Sequence, residues 1–482
     1  MTSGQASLLD SIFSLADAHP RLVLPYTTKR PEMRMIYGPA TREEQSAGTG
    51  RGQSTRPNSQ VEPIIDRVAG TADIADTNPD YERLLVGLFK ELALDQNVES
   101  NITPFVVHSF TSWMSRFLFE PMRVVSLTRD TIVRGHFFGD EPRQRMVLIA
   151  NTVSAVSKST DYELTYFATL YAKLVNGVRE TRARGELTRD EAIDAMESCH
   201  ELISITCKVG PLADSLKLMD LYAPIFRRGC PESCDELVNL PQRLTAFEMN
   251  LKYFATLDVL QGTLTHRPMF FRYDLTFLSP LHEELLDLDE GPGLRWLHGV
   301  PDRLIYVLAK MNTLFEDHGS CVASEKIQEL EGDIEACKPV VYSSTEDDLP
   351  LKVGRIVVQE SWRLAAYVYL YMASRGLCGA DSHDARVVKV HKRFMKLLGT
   401  VKPRRNPDAF LMYPMILLGV AASTSEDRST LLARPWGVSE CTKSGTLGND
   451  VVRIVNDIWA RTEERPAVWS DLRVACLRVT GI

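Results

Sequence analysis

From about Asn78 to the C-terminus the chain repeats one pattern: apolar residues recur three and four positions apart, in stretches opened by Asn, Thr or Pro. That spacing puts the apolar side chains on one stripe of an α-helix, and it leaves little room for strands, which need alternation or short β-branched runs. Pro79 follows Asn78 at a first helical position, and Leu84, Leu85, Leu88, Phe89 and Leu92 continue at helical spacing. Thr103-Pro104 opens another helix in the same way, carrying Phe110, Trp113, Met114 and Phe117. Thr160 with Glu163, and Thr188 with Glu191, read as capping boxes. The helix behind Thr160 shows Leu164, Phe167, Ala168, Tyr171, Leu174, Val175 and Val178 on one face, with Gly185 as its C-cap. Trp362, Ala365, Ala366, Tyr369 and Ala373 form a further stripe, ended by Gly376. The strand candidates are Val340-Val341-Tyr342, which is short, and Ile356-Val357-Val358, which runs into the Trp362 stripe. With no alternation of strands and helices and no fixed-period repeat, the expected fold is mainly α: a large, irregular all-helical domain with a flexible N-terminal segment.

Three regions are expected. Residues 1–24 are a short amphipathic segment with Leu8, Leu9, Ile12, Phe13 and Leu15. Residues 25–63 are a disordered linker, because the Gly/Ser/Arg/Gln-rich run from Ser46 to Gln60 has too few apolar residues to offset the entropy of ordering. Residues 64–482 are the helical domain, with a sub-boundary near 338–352. Gly48-Thr49-Gly50-Arg51-Gly52 is not a phosphate loop, since no Gly-Lys-Ser/Thr follows it. No secretory signal is read at Ala6–Leu15, where Asp10 interrupts the apolar run, and Phe410–Ala422 is shorter than the ~20 residues a membrane span needs and contains Pro414. A net charge of −8 argues against an autonomous nucleic-acid-binding surface while leaving room for a small basic patch.

All nine cysteines lie between Cys199 and Cys476, so thiol and zinc chemistry is confined to the later part of the chain. Cys230-Pro-Glu-Ser-Cys234 lacks the second pair, or the spaced histidines, of a structural zinc site. Cys199, His200 and Cys207 share one helix and read as packing residues, with no third group to orient a nucleophile. The run His282 to Glu290 offers Glu283, Glu284, Asp287 and Asp289, which suit a solvated acidic face packed through Leu285, Leu286 and Leu288 better than a magnesium or acid–base site. Thr28-Lys29-Arg30 and Lys402-Pro403-Arg404-Arg405 are short basic clusters of the kind used in nuclear import or phosphate contact. There is no hydrolase elbow, zincin helix or dinucleotide fingerprint. No catalytic, cofactor-binding, metal or DNA-binding residue is therefore assigned, no cofactor is expected, and the chain is read as a non-enzyme.

Several long segments carry a resemblance. GLRWLHGVPDRLIYVLAKMNTLFEDHG begins at Gly293, followed by VVQESWRLAAYVYLYMA (Val357 to Ala373), NPDAFLMYPMILLGVAA (Asn406 to Ala422), GTLGNDVVRIVNDIWART (Gly445 to Thr462) and the terminal VWSDLRVACLRVTGI. TPFVVHSFTSWMSRFLFEPMRVV (Thr103 to Val125) joins them. Together they resemble the fungal-specific transcription factor domain, the helical region found downstream of a Zn2Cys6 DNA-binding module. The resemblance implies an all-α regulatory domain in a nuclear regulator (alternatively in the cytoplasm). It implies action through contacts with the transcription machinery or self-association, with a small-molecule effector in some members. The six closely spaced cysteines of a Zn2Cys6 module are absent from the first 198 residues, so direct sequence-specific DNA binding is not expected of this polypeptide. The competing expectation is a helical ligand sensor or scaffold with no transcriptional role, in which Trp113, Phe117, Tyr367, Tyr369 and Tyr371 line an apolar cavity.

Overall fold

The stripes read from the sequence become helices, and almost nothing else forms. The computed structural model describes residues 80–92, 103–137, 139–159, 161–319, 321–340, 349–373 and 380–482. The chain divides into two compact units, Met1–Asp73 and Ile74–Ile482, and everything described lies in the second. The expectations for residues 1–24 and 25–63, and the Thr28-Lys29-Arg30 cluster, lie outside the described residues.

The Asp80–Glu91 helix buries Leu84, Leu88 and Phe89, and the Thr103–Phe117 helix buries Met114 and Phe117. The latter packs along Asp140–Lys158, which in turn carries Thr165–Ala183. Thr188 and Glu191 form the reciprocal capping box that opens Arg189–Met196. The Thr160 box is different: Thr160 is outside the described residues, and the helix starts at Thr165, after Leu164, with no side-chain cap. Its buried stripe is Leu170, Leu174, Val175 and Val178, whereas Leu164 and Ala168 are exposed. Gly185 follows that helix with φ +80°, the left-handed conformation expected of a closing glycine. Ile356-Val357-Val358 is no strand but the third turn of a 25-residue helix, Leu349–Ala373, because its neighbours continue the helical stripe through buried Trp362 and Tyr369. Gly376 lies outside the described residues. This long helix packs against Ala385–Leu398 and Arg405–Val420, and the latter against Leu447–Arg461 and through it Ser470–Thr480. Ser324–Ala336 also packs on Leu349–Ala373, so the helices flanking 338–352 touch each other.

At the centre runs Met249–Thr265, in which every residue from Leu251 to Thr265 is buried. A helix surrounded on all sides has no polar stripe, so periodicity gave it no signature. Its polar side chains find partners inside the fold. Asp258 accepts from the backbone N–H groups of Phe270 and Phe271 (2.7 and 3.1 Å) and from the Tyr273 hydroxyl (2.9 Å). Thr263 donates to Asn312 Oδ1 (3.1 Å), and Lys252 Nζ reaches the carbonyl of Pro292. Strands are confined, among the described residues, to a two-residue parallel pair, Val238↔Tyr273 and Asn239↔Asp274. There Asn239 donates to Asp274 and to the Thr276 carbonyl (both 2.8 Å) while capping the Leu240–Thr245 helix.

The segment beginning at Gly293 acts as a clasp. A Cβ at Gly293 would lie 2.0 Å from Asp302 Cγ, so only glycine admits Asp302 to accept from the Arg295 backbone (3.0 Å). Arg295 is fully buried, its guanidinium facing the carbonyls of Leu288 and Asp289 and the carboxylate of Glu120. Gly299, at φ +72°, lets Phe119 and Val358 approach to where a Cβ would be only 2.9 Å from each. These residues build structure, which is why the segment marks a fold.

Candidate functional site

The residues singled out for catalysis or metal binding disperse. Cys230 is buried, with its thiol pushed up to about 12 by burial, while Cys234 is exposed beside Arg228. Cys199 is buried with its thiol pushed upward, also by burial, and the imidazole of neighbouring His200 turns to Tyr253 instead. Glu283 and Asp287 clamp Arg303 at 2.8 and 2.6 Å, and Leu288, expected to pack, is about half exposed (49%). Among the described residues no group of three or more His, Cys, Asp or Glu side chains is placed to hold a metal ion, and the eight described cysteines are free. The aromatic stripes do not enclose one cavity. Tyr369 is buried on Asn312 and stacks on Trp469, Tyr367 and Tyr371 stack on each other at 6.0 Å with Arg386 over Tyr371, and Trp113 lies against Phe117 at 4.4 Å.

Two of the singled-out residues, His200 and Cys207, converge with others that were not. His200, Ser204, Cys207 and Lys208 lie at i, i+4, i+7 and i+8 of the Cys199–Val209 helix, which places them on one face. Each keeps part of its surface open. Yet burial dominates the titration of His200, Cys207 and Lys208, lowering His200 to about 4, raising the Cys207 thiol and lowering the Lys208 ammonium. This face therefore keeps some surface while its ionisable groups are strongly desolvated. Opposite stand Tyr253, whose hydroxyl pairs with Ser204 Oγ at 3.0 Å, and His298, whose ring stacks on Tyr253 at 6.2 Å. The edge of His200 meets the same tyrosine at 4.8 Å. Burial, with help from Lys208 and His200, lowers His298 to about 3, so both imidazoles are neutral at pH 7. The Nε2 atoms of His200 and His298 are buried and have no hydrogen-bond partner among the described residues. Buried polar atoms without a partner are rare and need an explanation, an absent ligand being one. Tyr413, half-buried on Arg405–Val420, closes this side near Cys207 and Cys441.

Beside Lys208 is a group of cations. The guanidiniums of Arg116 and Arg405 and the ammonium of Lys208 lie 5.7, 5.2 and 5.3 Å from the centre of the Phe117 ring, whose negative face attracts them. Glu440 is a carboxylate bound to two of these cations. Arg405 holds both its oxygens at 2.7 Å, and Arg116 reaches it at 3.4 Å while donating to Ser439 Oγ at 2.7 Å. Burial opposes the ionised form of Glu440, and the two guanidiniums overcome it, holding the group well below the ordinary carboxylate range. Lys443 sits 3.6 Å over the Tyr162 ring on the same side. Lys208 makes no ion pair or hydrogen bond among the described residues, although Glu440 draws its pKa upward against the effect of burial. The arrangement offers charge and hydrogen-bond donors, with no nucleophile–base pair. Its signal in the sequence was faint: Arg405 belongs to the basic cluster at 402–405, but Lys208, His298 and Glu440 come from separate segments that only the packing unites.

Comparison with known proteins adds one finding. The model of a family described as "Fungal specific transcription factor domain" matches residues 228–475, just over half of the chain. The match includes Tyr253, His298, Arg405, Tyr413 and Glu440, whereas the Cys199–Val209 helix and the Thr103–Val125 segment precede it. No curated protein and no solved structure matches.

Proposed function

Because the chain belongs to the fungal-specific transcription factor domain family, we propose that it is a transcription-regulatory domain that works through protein contacts and takes a small anionic effector beside Lys208. The family is a regulatory one, and its members' place of action is the nucleus. What the domain contacts is the transcription machinery or a second copy of itself.

The observation that supports the effector is the unpaired Lys208 ammonium. Burial disfavours its charge, and Arg116 and Arg405, which share Glu440, stand around the same Phe117 ring. An anion entering there gains two fixed hydrogen-bonding cations and relieves the uncompensated ammonium. Behind them, the Nε2 atoms of His200 and His298 supply hydrogen-bond partners for an uncharged polar end of the same ligand. A carboxylate or phosphate ester of metabolite size suits that combination. Binding crosses from the Cys199–Val209 helix to the Arg405–Val420 and Ser439–Thr442 helices, so occupancy stiffens their packing.

The test is thermal unfolding of the full chain against a panel of small carboxylates and phosphate esters. A ligand at a hundred times its Kd stabilises by about 2.7 kcal/mol, which is readily seen as a rise in Tm. Lys208→Met should fold and lose that rise, while Arg393→Gln, at an exposed position elsewhere, should keep it. A panel in which no compound raises Tm, or one whose effect survives Lys208→Met, contradicts the effector.

A further inference from the structure

The chain is acidic overall, with a net charge of −8, yet residues 385–405 contain no acidic residue and eight basic ones: Arg386, Lys389, Lys392, Arg393, Lys396, Lys402, Arg404 and Arg405. The Ala385–Leu398 helix buries Val387, His391, Phe394 and Leu398 against the fold and turns Arg386, Lys389, Lys392, Arg393 and Lys396 to solvent; Lys402 and Arg404 extend the exposed face past its C-terminus. Several acids near this face are engaged, and Glu331 also acts on Arg386. Asp384 pairs with Arg386 (3.1 Å), Glu360 with Arg363 and Arg393 (2.7 and 2.8 Å), and Asp427 faces buried His391 (3.4 Å). Lys389, Lys392, Lys396, Lys402 and Arg404 have no ion-pair or side-chain hydrogen-bond partner among the described residues. Arg405 is excluded from the face because Glu440 holds it.

We infer that this face binds the phosphate backbone of double-stranded DNA, independently of sequence. Three features select a backbone polyanion. The cations recur at i, i+3 and i+7 (Lys389, Lys392, Lys396), in line along the helix. Residues 386–398 span about 18 Å at 1.5 Å per residue, a length over which a duplex presents about ten phosphates. No large apolar side chain is exposed on the helix, and an acidic peptide binding as a helix would need such anchors in a groove, whereas phosphate contacts need none. The face differs from the Lys208 site in position and in residues. It supplies register and salt-dependent affinity, and sequence choice must come from elsewhere.

The experiment is fluorescence anisotropy of the full chain with two labelled duplexes of unrelated sequence, over a series from 25 to about 200 mM salt. Five unpartnered cations predict that log K falls against log[salt] with a slope of about −4.5, the same for both duplexes. Lys389→Gln/Lys392→Gln/Lys396→Gln should lower the steepness by about 2.7 and weaken binding by more than about tenfold at low salt. Lys402→Gln/Arg404→Gln, outside the helix, should lower it by about 1.8. Absence of binding at 25 mM salt, or an unchanged slope in both variants, overturns the inference. A polyglutamate peptide that competes as well as unlabelled DNA at equal charge also overturns it, and assigns the face to an acidic protein partner.

Discussion

Arg405 grips Glu440 with both guanidinium nitrogens, each 2.7 Å from a different carboxylate oxygen, and only about a tenth of either side chain is exposed. The pair joins the start of the Arg405–Val420 helix to Ser439–Thr442, and Arg116 adds the Thr103–Phe117 helix to the same carboxylate. Removing one partner of such a pair leaves charge without compensation. Glu440→Gln is expected to cost about 3 kcal/mol in chemical denaturation. Arg405→Lys keeps the charge but loses the two-pronged geometry and should also destabilise, by a smaller amount. A Glu440→Gln chain as stable as the parent contradicts this.

Asn312 is the polar hub of the interior. It donates to the Val259 carbonyl (3.0 Å) and accepts from Thr263 Oγ1 (3.1 Å) and the Tyr369 hydroxyl (2.8 Å), joining the helices Met249–Thr265, Asp302–His318 and Leu349–Ala373. Asn312→Leu keeps the volume and strands the buried Tyr369 hydroxyl, while Thr263 keeps its bond to the Val259 carbonyl (3.0 Å). The expected loss is about 1–3 kcal/mol, read as a lower urea midpoint with an unchanged m-value.

His200 gives the fold a measurable acid sensitivity. Its folded pKa, near 4, lies below the ordinary value of 6.5 because of burial, so the unfolded chain takes up the proton first as pH falls. Stability attached to this group is intact above pH 6.5 and is lost on acidification toward 4. Between pH 7 and 5 the loss is about 2 kcal/mol. His200→Phe should be less acid-sensitive by that amount. Parallel pH–stability curves for the two proteins contradict the assignment.

The cysteines should differ sharply in reactivity. Cys234 and Cys321 are exposed, whereas Cys199, Cys337, Cys441 and Cys476 are buried, the last three with thiols pushed up to about 12 by burial. Brief alkylation of the native chain followed by peptide mapping should label Cys234 and Cys321 and spare those four until denaturant is added.

Much of the fold was legible because amphipathic helices announce themselves. Leu84, Leu88 and Phe89, the Thr188/Glu191 cap and the Trp362 stripe all lie where their spacing put them. Met249–Thr265 was not, since burial on every side erases periodicity. Nor was the strand pair at Val238 and Tyr273, because two residues make no pattern and the pairing joins positions 35 apart. Ile356-Val357-Val358 misled as a strand candidate because β-branched residues also fit a helix whose packing favours them. The Lys208 site was the least legible. Lys208, His298 and Glu440 are ordinary where they stand in the chain, and only the crossing of several helices makes them neighbours.

The central claim is that this is a transcription-regulatory domain, and tethering tests it most directly. The full chain is fused to a heterologous DNA-binding module upstream of a reporter in fungal cells, and transcript output is compared with that of the module alone, for the parent and for Lys208→Met. The account predicts that the parent changes output in either direction and that Lys208→Met alters the response to metabolic conditions. Output indistinguishable from the module alone under every condition, with the fusion shown to be folded and nuclear, would contradict it and favour a helical sensor or scaffold without a transcriptional role.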